Sequence, residues 1–483
     1  MYKRQSIYFS SPVIPNPDIY LELTNYYSQP DSSANGRAFV FSPVIQNKLY
    51  IDLSNSTFAI YNSFSKALIP CDTLPTTITD KISALLQLGK DKCNLIYVSS
   101  AKKAIEFAMQ LCQVIPDDSI TIEAKSALEF AAKQIEKKIH KEYYLAQLVR
   151  KRVAYHIGAL PAEIRAQIEG LIRKGIIKYC FCTSTLLEGV NVPVDNLFIF
   201  DNKKARSKMS ITDAFNLMGR AGRVTLNEYG NVYLIVEDKD VKKYYDDILL
   251  KPLPRQELLP SKAISKKNKK YIVQTLLSGR TNLLEMGDKY KDKGFTETTY
   301  EYSAKCLNIL LHDICSNNDS YIVRDFKNDQ ALTPQNIIDI REIFGVITEK
   351  DDDINISARQ KESLYKAVRE QHLNYPSSIA YDTCVDFLKE LSRILDWKIY
   401  EKDSLGKGEK IRYYAVILNQ WMEGKGLHEI IRGAIKHYQT NGGSLVSYEP
   451  NYHLEKYNDS TQHKNQVINE VMKDIEQLSL IHI

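Results

Sequence analysis

Between residues 76 and 250 the chain alternates short apolar runs with amphipathic stretches, and this alternation restricts the fold more than any other property of the sequence. Asn94-Leu95-Ile96-Tyr97-Val98 reads as a buried strand. Ala101 to Cys112 follows as a helix, with Ala104, Phe107, Ala108 and Leu111 on one face. A charged stretch from Lys125 to about Lys151 reads as a long helix, and Val153-Ala154-Tyr155 as the next strand. Pro161 to Lys174 carries Ile164, Ile168, Leu171 and Ile172 at helical spacing. Ile177 to Thr183 and Asn196 to Asp201 are strands, Ala214 to Met218 opens a helix, and Gly230 to Glu237 closes with a further strand. Strands and helices in this succession predict an α/β fold with a parallel sheet.

The flanks differ. Residues 6–75 are rich in Ser, Pro, Asn and Tyr, with strand character at Ala38–Ser42 and Lys48–Leu53, and predict either a short β-unit or a linker. After about 255 the chain turns helical and basic. Lys262 to Lys270 holds five lysines in nine residues, and Ser357–Glu370, Asp382–Leu395, Tyr413–Met422 and Asn465–Gln477 read as amphipathic helices. The expected domains are therefore 1–75, 76–250 and 251–483, consistent with ~150 residues per domain. Met1–Gln5 and Leu478–Ile483 resemble translated sequencing-adapter scars and are expected to be non-native ends of a fragment.

Composition excludes little. With 64 Lys+Arg against 59 Asp+Glu the net charge is +5, too small to argue for nucleic acid without motifs. No apolar run approaches the ~18–20 residues that cross a bilayer, so no membrane partner is expected. The eight cysteines lack paired C-x-x-C spacing and read as reduced core residues of a cytoplasmic protein, with no metal ligands among them.

Two segments carry chemistry. Gly219-Arg220-Ala221-Gly222-Arg223 places two arginines three apart at a helix end, where both guanidinium forks can engage one polyphosphate and stabilise charge developing in phosphoryl transfer. Its glycines are expected to let the backbone turn tightly and approach a phosphate. Thr183-Ser184-Thr185-Leu186-Leu187-Glu188-Gly189-Val190-Asn191-Val192-Pro193 begins at the end of an apolar strand. Its hydroxyls lie where parallel sheets bind ligands and can donate to nucleic-acid phosphates.

In order and separation, these two segments resemble motifs V and VI of superfamily 2 (DEAD/DEAH-box) helicases, in the Ski-like branch. Leu95-Ile96-Tyr97-Val98-Ser99-Ser100 looks like motif IV. Val153-Ala154-Tyr155-His156-Ile157-Gly158-Ala159-Leu160-Pro161 with Arg165 resembles a further segment of that branch, and Pro12 to Leu23 looks like the stretch where the first lobe ends. The resemblance implies a RecA-like helicase C-terminal lobe followed by a mainly α-helical domain. It implies Arg220 and Arg223 as arginine fingers, and Glu188, Gly189, Asn216 and Gly219 beside the nucleotide. Ser99, His156, Arg165, Thr183 and Thr185 are implied as contacts to single-stranded or unwinding DNA or RNA. His156 reads equally well as a packed, hydrogen-bonded residue. ATP and Mg2+ are the implied cofactors, both held mainly by a first lobe.

This sequence departs from the family in three places. Asn216 stands where motif VI has glutamine, and Ile157 replaces the second His of a His-His pair. Asn202 to Asp213, where related enzymes can carry a strand-separating hairpin, reads as a basic loop. Nowhere in the sequence is there a G-x-x-x-x-G-K-[ST] or a D-E-x-[DH] block, so the elements that hold phosphates, Mg2+ and the attacking water are absent from these residues. The expectation is an ATP-dependent helicase or translocase as the intact parent, with this chain alone inactive. The competing expectation is a non-catalytic module binding nucleic acid or protein. Trp397 and Trp421 read as core. The Lys262–Lys270 run reads as a solvated linker or as a track for phosphates. Tyr413 to Ile430 resembles the helical region of bacterial antiphage-defence helicases, which implies a nuclease effector as partner.

Overall fold

The computed structural model describes residues 45–116, 120–184, 194–204, 207–222, 229–251, 264–284, 291–345, 358–370, 373, 376, 378–400, 408–446 and 454–479. Among these, 45–251 and 426–479 make one compact unit and 264–425 a second.

The first unit is built on an eight-stranded sheet. In chain order its strands are β1 (Ile45–Asp52), β2 (Thr57–Asn62), β3 (Ala67–Thr73), β4 (Asn94–Tyr97), β5 (Val153–His156), β6 (Tyr179–Cys182) and β7 (Asn196–Ile199). A two-rung hairpin of β8 (Lys203–Lys204) and β9 (Ser207–Lys208) then precedes the last strand, β10 (Tyr229–Val236). The spatial order is β3-β2-β1-β10-β7-β4-β6-β5, with every neighbouring pair from β1 to β5 parallel. Every residue of β4, β5, β6 and β7 is buried, which is why these strands read as mostly apolar runs, with Asn94, His156 and Asn196 the polar exceptions at their ends.

Helices cover both faces of the sheet. They are α1 (Lys81–Leu88), α2 (Ala101–Val114), α3 (Ile122–Lys138), α4 (Tyr144–Arg150), α5 (Ala162–Arg173), α6 (Ile211–Met218) and α7 (Lys239–Leu249). Alternate side chains point to opposite faces. Phe181 and Tyr155 meet Phe107 of α2 and Tyr143 ahead of α4. One residue along, His156 bonds Glu169 of α5, while Ile199 and Leu234 line a pocket with Ala214 and Met218 of α6 and Ile248 of α7.

Three expectations need correction. The stretch from Lys125 to Lys151 is two helices, because Ile139, His140 and Tyr143 turn inward between them and are buried. The basic segment after Asn202 is a hairpin with Lys203 paired to Lys208, not a loop. The strand expected at Lys48–Leu53 is β1, which lies parallel to β10 and extends the main sheet, with β2 and β3 folding back antiparallel at its edge. The C-terminal residues also group with the sheet: of α16 (Leu427–Asn441) and α17 (Thr461–Ser479), His428 bonds the Ile139 carbonyl and Asn465 accepts from the Tyr144 amide. The partition by contact thus differs from the one expected along the chain. Among the described residues, no helix is long and apolar enough to cross a membrane.

The named elements of the second unit are all helices, α8 (Lys266–Leu277), α9 (Glu297–Cys315), α10 (Tyr321–Asn328), α11 (Pro334–Phe344), α12 (Ala358–Arg369), α13 (Tyr381–Ile394), α14 (Trp397–Tyr400) and α15 (Gly408–Met422). Ile272, Leu276, Leu307, Leu310, Leu311 and Phe326 form the centre of its core. Trp397 is buried and Trp421 half-buried. The lysine run proves divided in use: Ser265 caps α8, Lys266, Lys267 and Lys270 are exposed, and Lys269 is buried against Asp325.

Candidate functional site

The first group of candidate residues lies at the C-terminal ends of the parallel strands, where open α/β sheets bind ligands. Ser99 follows β4. Its hydroxyl donates to Asp201, just past β7, at 2.5 Å, and Lys103 of α2 donates to the same carboxylate oxygen at 2.5 Å. Burial alone would push the Asp201 carboxyl up, but the hydrogen bonds from Lys103 and Ser99 outweigh it and hold the group below the usual carboxylate range. Ser99 therefore presents an oxygen whose proton is already committed, and Lys103, paired with Asp201, is 46% exposed at the rim. Lys103 escaped the sequence reading, although it sits one helical turn beyond Ser99.

Arg165 is half-buried on the first turn of α5, and Thr183, half-buried, directly follows β6, its amide donating to the His156 carbonyl at 3.4 Å. His156 does not reach the rim. It is 1% exposed, and its Nε2 meets Glu169 Oε1 at 3.1 Å, with Arg173 on the carboxylate's other oxygen. Its expected contact with nucleic acid is corrected to a packed, hydrogen-bonded role. Thr185, Glu188 and Gly189 lie outside the described residues.

Burial pushes the His156 imidazole below its ordinary value, and the hydrogen bond and charge of Glu169 oppose the shift without cancelling it. The unfolded chain therefore takes up a proton near pH 6.5 that the native state resists. Stability is complete above that value and falls as pH drops below it toward the native pKa. His140, also held low by burial, adds in the same direction. Thermal melts from pH 8 to pH 5.5 should show this decline, and His156→Gln should flatten it. An unchanged slope in the variant would remove His156 as its source.

The second group sits at the other end of β7 and β10. α6, capped by Ser210, runs to Met218, with Asn216 half-buried, Gly219 exposed and Arg220 half-buried at its end. Ala221 makes a parallel bridge with Val194, and the Gly222 amide donates to the Val194 carbonyl at 3.1 Å. The Arg220 charge reaches Cys182 at the end of β6, where it opposes the strong upward push of burial on the thiol. Arg223 lies outside the described residues.

The glycines divide unexpectedly. Gly219 has φ −62°, and a side-chain carbon there would meet the nearest carbonyl oxygens at an ordinary 3.4 Å, so neither the turn nor the space demands glycine. Gly222 does, at φ +73°. Gly230 does too, because a Cβ there would lie 2.4 Å from the Gly222 nitrogen. Gly230→Ala is accordingly expected to cost about 1–3 kcal/mol through forced backbone displacement, and Gly219→Ala less than ~0.5 kcal/mol. Urea unfolding of the two variants checks this, and equal midpoints would contradict the packing.

Two polar arrangements gave no signal in the sequence. Gln46 of β1 donates through Nε2 to the carbonyls of both Met218 and Ala221, each at 3.0 Å. On the opposite face of the same strand, Asn47 starts a side-chain ladder across four strands. Asn47 donates to Asn231 at 3.0 Å, Asn231 to Asn196 at 3.0 Å, and Asn196 to Asn94 at 2.9 Å. Asn94 ends the ladder by donating to the Gly89 carbonyl at 2.8 Å.

Residues 109–225 match the helicase conserved C-terminal domain family. Among curated proteins, the chain is 31% identical over 147 residues to the ATP-dependent DNA helicase Hel308 of Pyrobaculum calidifontis, covering 29% of this chain and 20% of that protein. It is 27% identical over 163 residues to the Helicase POLQ-like protein of Drosophila melanogaster, covering 33% and 16%. It is 30% identical over 89 residues to the Anti-bacteriophage protein B of Escherichia coli K12, covering 18% and 12%. The chain spans between about a sixth and a quarter of the length of the first relatives it matches. It carries the C-terminal region of a superfamily 2 helicase on an α/β fold.

Proposed function

We infer that this superfamily 2 helicase C-terminal region acts as the second motor lobe of an ATP-dependent nucleic-acid helicase or translocase, supplying strand contacts and arginine fingers to a partner lobe that holds ATP. The observation that carries the reading is the placement of two donor groups on one sheet. Ser99, Lys103, Arg165 and Thr183 lie at the C-terminal strand ends, and Arg220 lies on the pinned turn between α6 and β10.

The donor set fits a polyphosphate. Arg220 and Asn216 offer N–H groups at a helix end, Gly219 is exposed and adds no side chain, and residues 216–222 contain no carboxylate. In this reading Arg220, with Arg223, stabilises charge on the transferring phosphoryl group. Glu188, Gly189 and Asn216 contact the nucleotide. Mg2+ accompanies the phosphates on the other lobe. Ser99, Lys103, Arg165, Thr183 and Thr185 hold the backbone of a single strand, and His156 positions Glu169 beneath them. The β8–β9 hairpin, with Lys203, Lys204 and Lys208, stands where related enzymes carry a strand-separating element. The similarity to the DNA helicases supports DNA as the track, and the similarity to Anti-bacteriophage protein B supports a role in antiphage defence, with a nuclease as the proposed effector.

The test is ATP turnover with and without single-stranded DNA, in this chain alone and in a protein that joins it to its ATP-holding lobe. Background turnover alone and stimulated turnover when joined are expected. Stimulated turnover by this chain alone, or none in the joined protein, would overturn the reading.

A further inference from the structure

We infer that Gln46 is a positioning residue for Arg220, fixing the turn that presents the arginine and tying that turn to β1. The inference rests on the motor-lobe reading for its catalytic consequence, and on geometry alone for the clamp.

The last carbonyls of a helix have no partner within it. At the end of α6 the Met218 carbonyl, which also accepts from the Ala221 amide at 3.1 Å, and the Ala221 carbonyl just beyond the helix are both met by one amide group from a residue 172 and 175 positions earlier. They bracket Gly219 and Arg220. Fixing the carbonyl on each side sets the peptide planes between them, and hence the direction in which the arginine leaves the backbone. The far side of the turn is held by different groups, through the Ala221–Val194 bridge, the Gly222 amide and the close approach of Gly230. Gln46 is thus the hold on the β1 side, and removing it leaves the turn tied along one edge.

Gln46 is itself held. It lies on the second residue of β1, in register with Gly230 of β10. The next residue, Asn47, points to the opposite face and is tied through Asn231 and Asn196 to Asn94, two members of that chain being 1% exposed. Asn47 donates, and Asn231, Asn196 and Asn94 each both accept and donate, so the ladder resists sliding of β1 against β10, β7 and β4. The ladder therefore holds β1 in register, and with it Gln46 and the arginine turn that Gln46 ties down.

Two measurements test the proposal. The first uses this chain as it stands, by amide hydrogen exchange. Gln46→Ala is expected to speed exchange of the Arg220, Ala221 and Gly222 amides about tenfold or more, with β4 and β7 unchanged. Unchanged exchange at the turn would overturn the clamp, and so would a uniform rise across the sheet, which marks a merely structural role.

The second uses the protein joined to its ATP-holding lobe. Gln46→Ala is expected to lower kcat about 10²-fold, the scale of an ångström-sized misplacement, with KM within about twofold. Gln46→Glu offers a signature that general destabilisation would not produce. Its carboxylate repels the two carbonyls at high pH, but once protonated it can donate to one of them, so kcat relative to the unaltered protein should rise as pH falls from 8 to 5.5. Arg220→Ala is measured in parallel. If it abolishes turnover while Gln46→Ala leaves kcat within twofold, the positioning role fails and the motor reading stands. If Arg220→Ala leaves turnover intact, the arginine assignment fails, and hydrogen exchange alone decides the clamp.

Discussion

Replacing Arg220 by alanine in the protein joined to its ATP-holding lobe is expected to lower DNA-stimulated ATP turnover by about 10³–10⁵-fold, the range observed for arginine fingers in phosphoryl transfer. That corresponds to about 4–7 kcal/mol of transition-state stabilisation, at 1.36 kcal/mol for each factor of ten. The size follows from the chemistry. A guanidinium aimed at developing negative charge, where water is excluded, needs no reorganisation as the reaction proceeds. Arg220→Lys keeps a positive charge but loses the planar fork and should recover only part of the loss. Because Arg220 is half-buried, the variants must first show native melting curves. Turnover within tenfold of the unaltered protein, with the fold intact, would rule Arg220 out as a finger.

Lys269→Ala is expected to destabilise the helical unit by about 3–5 kcal/mol, because it removes the ammonium that is ion-paired with a buried carboxylate. The Lys269 ammonium is 2% exposed and lies 2.7 Å from Asp325, itself 3% exposed, and 2.5 Å from the more open Asp329. Phe326 packs beneath it, with its ring centroid 5.5 Å from Nζ. Removing both members of the buried pair, as Lys269→Met with Asp325→Leu, should recover most of the stability, since apolar groups of similar size fill the site without the desolvation cost. Urea unfolding followed by far-UV circular dichroism measures both variants. A loss below about 1 kcal/mol for Lys269→Ala would show that the ion pair is not buried in solution. Among the described lysines of this run, Lys266, Lys267 and Lys270 are exposed.

By itself the sequence determined whatever depends on local pattern or distinctive chemistry. Asn94–Val98, Ile177–Thr183 and Asn196–Asp201 announce strands because a strand buried on both faces reads as a near-continuous apolar run. The helices at Ala101–Val114 and Ala162–Arg173 announce themselves by their apolar stripes. The G-R-x-G-R and T-x-x-L-x-x-G-V-N-x-P blocks stand out because few sequences combine hydroxyls, glycines and arginines in that order. Tertiary structure alone decided which of these groups are available. His156 reads in the sequence equally as a ligand or a packed residue, and Lys269 as part of a solvated or phosphate-tracking run, and both are buried with carboxylate partners. Gly219 and Gly222 look equivalent, and only the second is held at positive φ. Gln46 and the four asparagines of the ladder resemble ordinary polar residues near strand starts, because what gives them meaning is register between strands far apart in sequence. Asn47 and Asn231 are 184 residues apart. Pairing over such separations depends on the packing of the whole sheet, and no local propensity records it.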